Sequence, residues 1–201
     1  MRRSTLRTLL AIFLIVFTAG VAWLMIAPPT TDITVRECVT GADDACLTLP
    51  RVMGDNLNGE TITLPDDISS EYALLVVPFD REQQTQAANW LPVYQDIVAE
   101  HDNLSYYSVA ILVVEAPFRP LVVGGLNVAI VDPEVRQAVM IAFVEESDQQ
   151  DALTALNHAD EPSLLALLVN QQGEVLWQHA GVYEPSAADE LRTVITNMDG
   201  N

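Results

Sequence analysis

Hydrophobic positions in this chain fall into runs of three kinds, and their spacing predicts most of the elements. Leu9 to Ala27 is a 19-residue apolar stretch broken only by Thr18 and Gly20. At about 1.5 Å per residue, a helix of that length spans a hydrocarbon core of about 30 Å. Arg2, Arg3 and Arg7 precede the run and Pro28-Pro29 end it. The pattern predicts a basic cytoplasmic tail at residues 1–8, a transmembrane anchor at 9–27, and the rest of the chain outside the membrane. Gly20-Val21-Ala22 also looks like a signal-cleavage site. Cleavage there would make the domain a secreted one, whereas Trp23 and the apolar residues after it favour the anchor.

The second kind of run is short. Ala73 to Phe79 (ALLVVPF), Tyr106 to Val114 (YYSVAILVV) and Ala138 to Val144 (AVMIAFV) are continuously apolar and too brief for helices, which suits strands buried on both faces. Leu47 to Val52 and Glu60 to Leu64 flank Asn56-Leu57-Asn58-Gly59, and Ser163 to Val169 and Glu174 to His179 flank Asn170-Gln171-Gln172-Gly173. Both sets read as β-hairpins with glycine where positive φ costs little.

The third kind has helical spacing. Ala87, Trp90, Leu91, Tyr94, Ile97 and Val98 form one stripe behind a capping Asp80, with a kink expected at Pro92. Leu121 to Gln137, interrupted by Gly124-Gly125 and Asp132-Pro133, reads as two short helices. Asp148 to Asn157, capped by Ser147, and Pro185 to Met198 complete the set. After an N-terminal hairpin the order is β-α-β-α-β-α-β-β-α. That predicts an α/β domain at residues 47–201, a mixed sheet covered on both sides, joined to the anchor by a linker at 28–46.

Charge narrows the partners. Beyond residue 31 the chain carries 28 acids against six arginines, a formal balance of −22, and it contains no lysine. Such a surface repels phosphate backbones, so no nucleic-acid partner is expected. Cys38 and Cys46 are the only cysteines. Outside the membrane they can form a disulfide closing a small loop, with a redox dithiol as the alternative. Two thiols do not complete a zinc site, and His101, His158 and His179 lack ligand spacing, so neither metal nor cofactor is expected. No hydrolase, phosphate-loop or metalloprotease motif is present. Trp90, Tyr94 and Trp177 read as core.

The strand ending in Phe79, the following helix with Pro92, and Pro162 ahead of LLALLVNQQGEVLWQHAG (residues 164–181) together resemble the thioredoxin-like superfamily, over residues 47–198. The resemblance implies a three-layer α/β/α sandwich. Redox-active relatives carry a C-x-x-C pair at the start of that helix, where the helix N-terminus favours a thiolate. Five residues on from Phe79 and eight back from Pro92 both reach Gln84, so Gln84-Thr85-Gln86-Ala87 stands in place of the pair. Pro162 resembles the family's cis-proline. The resemblance implies a groove of Gln84, Ala87, Glu161, Pro162 and Ser163 able to take an extended peptide. Loss of the cysteine pair, Trp90 in NWLPVY and an insertion from Glu115 to Gln137 are also similar to the thioredoxin-like assembly factors of ATP synthase and their bacterial relatives. The expected function is a membrane-anchored, redox-inactive module with no catalytic residue, binding a protein or peptide outside the membrane. The alternative is an exported thiol-disulfide oxidoreductase using Cys38 and Cys46.

Overall fold

The computed structural model of the chain describes residues 28–34, 47–160 and 162–199. The anchor at 9–27, Cys38, Cys46 and Glu161 lie outside the described residues, among which no helix is long and apolar enough to cross a membrane.

The first hairpin is β1 (Val52–Asn56) and β2 (Thr61–Leu64), followed by β3 (Tyr72–Val77). Next come α1 (Arg81–Ala87), α2 (Leu91–Glu100) and β4 (Leu104–Leu112). A 3-10 turn at Ala116–Phe118 leads into α3 (Arg119–Ala129) and α4 (Pro133–Ala138). The chain finishes with β5 (Val139–Phe143), α5 (Glu146–Ala155), β6 (Leu165–Asn170), β7 (Val175–Ala180) and α6 (Pro185–Asp199).

One seven-stranded sheet runs in the order β2-β1-β5-β4-β3-β6-β7. The central β5-β4-β3 pairs are parallel and the outer pairs antiparallel. Alternation along the strands splits the apolar residues between two faces. Leu75, Val77, Ile111, Met140 and Leu167 pack against Ala152, Leu153 and Leu156 of the α5 segment on one face. On the other, Leu74, Val76 and Leu168 meet Trp90, Tyr94, Ile97 and Leu191 from the α2 and α6 region. Farther along that face, Ala110, Leu112, Ile141 and Phe143 meet Val122, Val123, Leu126 and Ile130 of the α3 segment. Each fully buried Leu, Ile or Val stabilises by about 1.5–3 kcal/mol, which explains why β3, β5 and β6 read as unbroken apolar runs.

Both hairpin turns have the sequence Asn-x-(Asn/Gln)-Gly-Glu and the same wiring. Asn56 Oδ1 accepts from the amides of Asn58 and Glu60 at 3.0 and 2.9 Å, and its Nδ2 donates to Glu60 Oε2 at 2.9 Å. Asn170 repeats this with the amides of Gln172 and Glu174 at 3.0 and 2.9 Å and with Glu174 Oε2 at 2.8 Å. Gly59 and Gly173 take φ of 83° and 85°. Because Asn56 closes the first turn, the hairpin strand runs from Val52 to Asn56; the expected strand start at Leu47 is four to five residues early. Thr48 and Arg51 instead form isolated bridges with Glu174 and Thr34.

Three further expectations are corrected. The helix around Pro92 is two helices rather than one kinked one. Proline has no amide hydrogen and its ring opposes the carbonyl four residues back. The chain accordingly turns at residues 88–90, with Trp90 N donating to Ala87 O at 3.0 Å, and restarts with Pro92 in the first turn of α2. Gly124-Gly125 does not interrupt α3, where a Cβ at either glycine would meet open space. Ser147 lies inside α5, whose N-cap is Glu145.

Residues 28–34 lie against the domain. Thr31 N donates to Phe143 O at 2.7 Å, and Thr34 and Arg51 exchange backbone bonds of 3.1 and 2.7 Å. Arg119, only 7% exposed, donates from Nη1 to Pro28 O at 2.7 Å and from Nε to Val114 O at 2.9 Å. Its guanidinium sits 5.3 Å from the Phe143 ring centroid.

Candidate functional site

The site lies at the C-terminal ends of the central parallel strands, where α1 begins. Only residues 78–80 separate β3 from α1. Asp80, with extended backbone, caps the helix by accepting from Gln83 N at 2.8 Å. Gln83 is 7% exposed and faces inward. Its Oε1 accepts from Phe79 N at 2.8 Å and its Nε2 donates to Pro162 O at 3.3 Å. From the other side of the sheet, Gln149 Nε2 donates to Phe79 O at 2.9 Å and to Ile111 O at 2.7 Å. Two neutral amides thus hold both backbone groups of Phe79 and tie α1, β4, α5 and the Pro162 loop together. An amide supplies neither a nucleophile nor a titratable proton at neutral pH.

Gln84 stands one turn beyond the positions that open the helix, which are Asp80 to Gln83. The helix cap falls at Asp80, as the sequence indicated. Residues 80 to 87 contain no cysteine. Gln84 borders two cavities, of about 610 and 370 Å³, between α1 and the α3 segment. The larger is walled by Phe79, Leu112, Phe118, Leu121 and Leu126. Gln84 Nε2 is buried with no hydrogen-bond partner among the described residues. Ala87 is 2% exposed, packs beside Trp90 and Tyr94, and contributes to the smaller cavity.

Pro162 is exposed and Ser163 half-buried, and neither lines those cavities. Gln84 and Ala87 border the cavities toward α3, and Pro162 is joined to α1 through Gln83. The described cis peptide bond is Leu64-Pro65, whereas the bond before Pro162 involves Glu161, outside the described residues.

Ser163 and His158 form a close pair. His158 Nε2 lies 2.9 Å from Ser163 Oγ and accepts from Ser163 N at 3.0 Å. The lone pair a general base would need is already engaged by an amide, so the contact closes the loop after α5 instead of activating the hydroxyl. Asn157, at φ 52°, ends α5, with His158 N donating to Leu153 O at 2.8 Å and Asn157 N to Thr154 O at 3.0 Å, a Schellman arrangement.

Trp90, Tyr94 and Trp177 are core, as their spacing implies. Trp90 is ringed by Tyr94, Trp177, His179 and Tyr183 at centroid distances of 5.6, 6.2, 5.6 and 5.3 Å. Tyr94 OH donates to Leu75 O at 3.0 Å. Burial pushes its phenol far above the ordinary range, and a backbone contact from Leu167 draws it partly back. Among the described residues no group of three His, Cys, Asp or Glu is placed to hold a metal ion. A further cavity, about 860 Å³, lies between Pro28 to Thr31 and the β1-β2 turn, and its Arg136 is engaged by the Leu57 and Ile130 carbonyls and by Asn127.

Gln83, the residue that joins the two halves of the site, was legible as the fourth member of Asp80-x-x-Gln83, a capping-box spacing. Gln149 and Arg119 had no local signal, because their partners are distant in sequence.

No protein-family model matches the chain, and no curated protein matches it in sequence. Among solved structures, the chain is similar to BsSco, a member of the Sco family of cytochrome c oxidase assembly proteins. Identity is 15% and the TM-score 0.53, over 77% of this chain and 95% of that one. At 14% identity and a TM-score of 0.50 it is similar to a protein described as the thiol:disulfide interchange protein DsbE from Chlorobium tepidum, over 78% of this chain and 98% of that one. With the sheet order and the strand-to-helix site, these likenesses define the class: the domain has the thioredoxin-like fold.

Proposed function

We propose that this protein is a membrane-anchored, extracytoplasmic thioredoxin-like module that binds a protein or peptide partner and performs no thiol exchange at the α1 tip. The observation that carries the reading is the amide lock: where a thiolate would have to stand, Asp80 caps the helix and Gln83 joins Phe79 to Pro162. Beside the lock, Gln84 borders the smaller apolar cavity with Ala87, Leu91, Leu126 and Ile130, and its unpartnered amide suits a strand or helix of a partner that brings one carbonyl. BsSco belongs to a family of assembly proteins, which is consistent with an assembly role for such a module.

Photo-crosslinking from a benzophenone amino acid at Gln84, in full-length chain in its own membrane, tests this. A discrete adduct absent when the same group replaces Gln171 is expected. Equal, diffuse labelling from both positions would reject the groove. The second reading is an oxidoreductase using Cys38 and Cys46, consistent with the description of the DsbE relative. It predicts insulin reduction that Cys38→Ser abolishes.

A further inference from the structure

We infer that the outer face of α3 rests in the interfacial layer of the membrane beside the anchor, so that the domain lies on the bilayer rather than swinging above it. This rests on the anchor reading of residues 9–27. The sequence of α3 is apolar almost all round, and such a helix is normally covered on every side. Its inner face, Val122, Val123, Leu126 and Ile130, packs on β4 and β5. Its few polar groups also turn inward: Arg119 holds Pro28 O and Val114 O, and Asn127 meets Arg136. What remains outside is apolar. Phe118, Leu121 and Val128 are 54, 65 and 83% exposed, with Gly124 and Gly125 between them at helical spacing, and Val131, 84% exposed, follows the end of the helix. An exposed patch of this kind marks an interaction surface.

Two observations choose lipid as its occupant. The first is where the chain comes from: the 19-residue apolar run ends at Ala27, and the next residue, Pro28, is hydrogen-bonded to Arg119, the first residue of α3. A membrane-spanning segment ending there brings the headgroup layer to the start of this helix. The second is charge: residues 116–131 contain no acid, and their single arginine is buried, in an exported part carrying −22. The acidic surface elsewhere is repelled by anionic headgroups, whereas this stretch presents only apolar groups to them. Insertion of α3 is therefore driven by apolar area and does not require anionic lipid.

The test uses the full chain reconstituted in neutral phosphatidylcholine vesicles with or without brominated acyl chains. Val128→Trp, with Leu121→Trp as a second probe, reports the outer face; Gln171→Trp, in the β6-β7 turn, is the control. Wild-type emission in the same vesicles is subtracted throughout. The outer-face probes are expected to emit to the blue and to lose about half of their added emission to bromine, while Gln171→Trp is unaffected. Flotation of the wild-type chain with the vesicles checks the anchor separately. Flotation with unquenched outer-face probes overturns the inference and leaves the anchor standing. A blue shift without quenching also overturns it and assigns the face to protein, either residues 9–27 or a second copy. A wild-type chain that does not float removes the anchor and the inference together.

Discussion

Gln83 and Gln149 each hold two backbone groups at the site, and Gln83 alone of the two reaches Pro162, which makes it the sharpest single-residue test. Truncating it removes the partners of Phe79 N and Pro162 O. An unsatisfied buried backbone group costs about 1–3 kcal/mol, so Gln83→Ala is expected to lower stability by about 2 kcal/mol, read as a lower urea midpoint at unchanged slope. Gln84→Ala, whose amide has no partner to lose, is expected to be close to neutral in the same titration. Tyr94 sets the alkaline limit. Its folded pKa is raised by burial, so the neutral phenol favours the folded state and the contribution is complete below the unfolded value. It is lost as pH rises past about 10, where the unfolded chain ionises and the buried ring does not. Tyr94→Phe should flatten the alkaline part of a stability-against-pH curve; an unchanged slope would place that limit elsewhere.

At the level of elements, the two Asn-x-(Asn/Gln)-Gly-Glu turns provide a matched pair. Local wiring is the same, so Asn56→Ala and Asn170→Ala should each cost about 1–2 kcal/mol by thermal denaturation. The glycines differ in surroundings. Both have φ near 85°, but a Cβ at Gly59 meets nothing within 4 Å, whereas at Gly173 it would stand 2.8 Å from Pro65 Cγ. Gly173→Ala is therefore expected to destabilise more than Gly59→Ala, and equal effects would mean that backbone strain alone matters. These turns were readable from sequence because the asparagine bonds that close them span two to four residues, although distant groups such as Arg136 also bond the first turn. The break before Pro92 was read as a kink, because proline excludes helix continuation without saying how far the chain retreats. Gly124-Gly125 was read as an interruption, although packing of Val122, Val123 and Leu126 on the sheet carries α3 through it. The cap at Asp80 was read from sequence and is observed, and the position reached by the two counts, Gln84, falls inside α1.

For the whole molecule, Arg119 is the pin between residues 28–34 and the domain. Arg119→Met keeps most of the apolar stem but leaves Pro28 O and Val114 O without their donor. Hydrogen exchange at Thr31 N, bonded to Phe143 O, should then accelerate about tenfold or more while β3 and β6 amides stay protected. No change would show that Thr31 and Thr34 hold the segment unaided. By itself the sequence determined the thioredoxin-like order of elements, the two hairpins, the core strands, the aromatic core around Trp90 and the absence of cysteine from residues 80–87. Those depend on periodicity, on turns closed within a few residues, and on which atoms are present at all. Tertiary structure alone decided that Gln83 bonds Pro162, that Gln149 completes the amide lock, and that Pro28 is held at the head of α3. Each of those joins groups tens of residues apart, and no local spacing encodes where such partners meet.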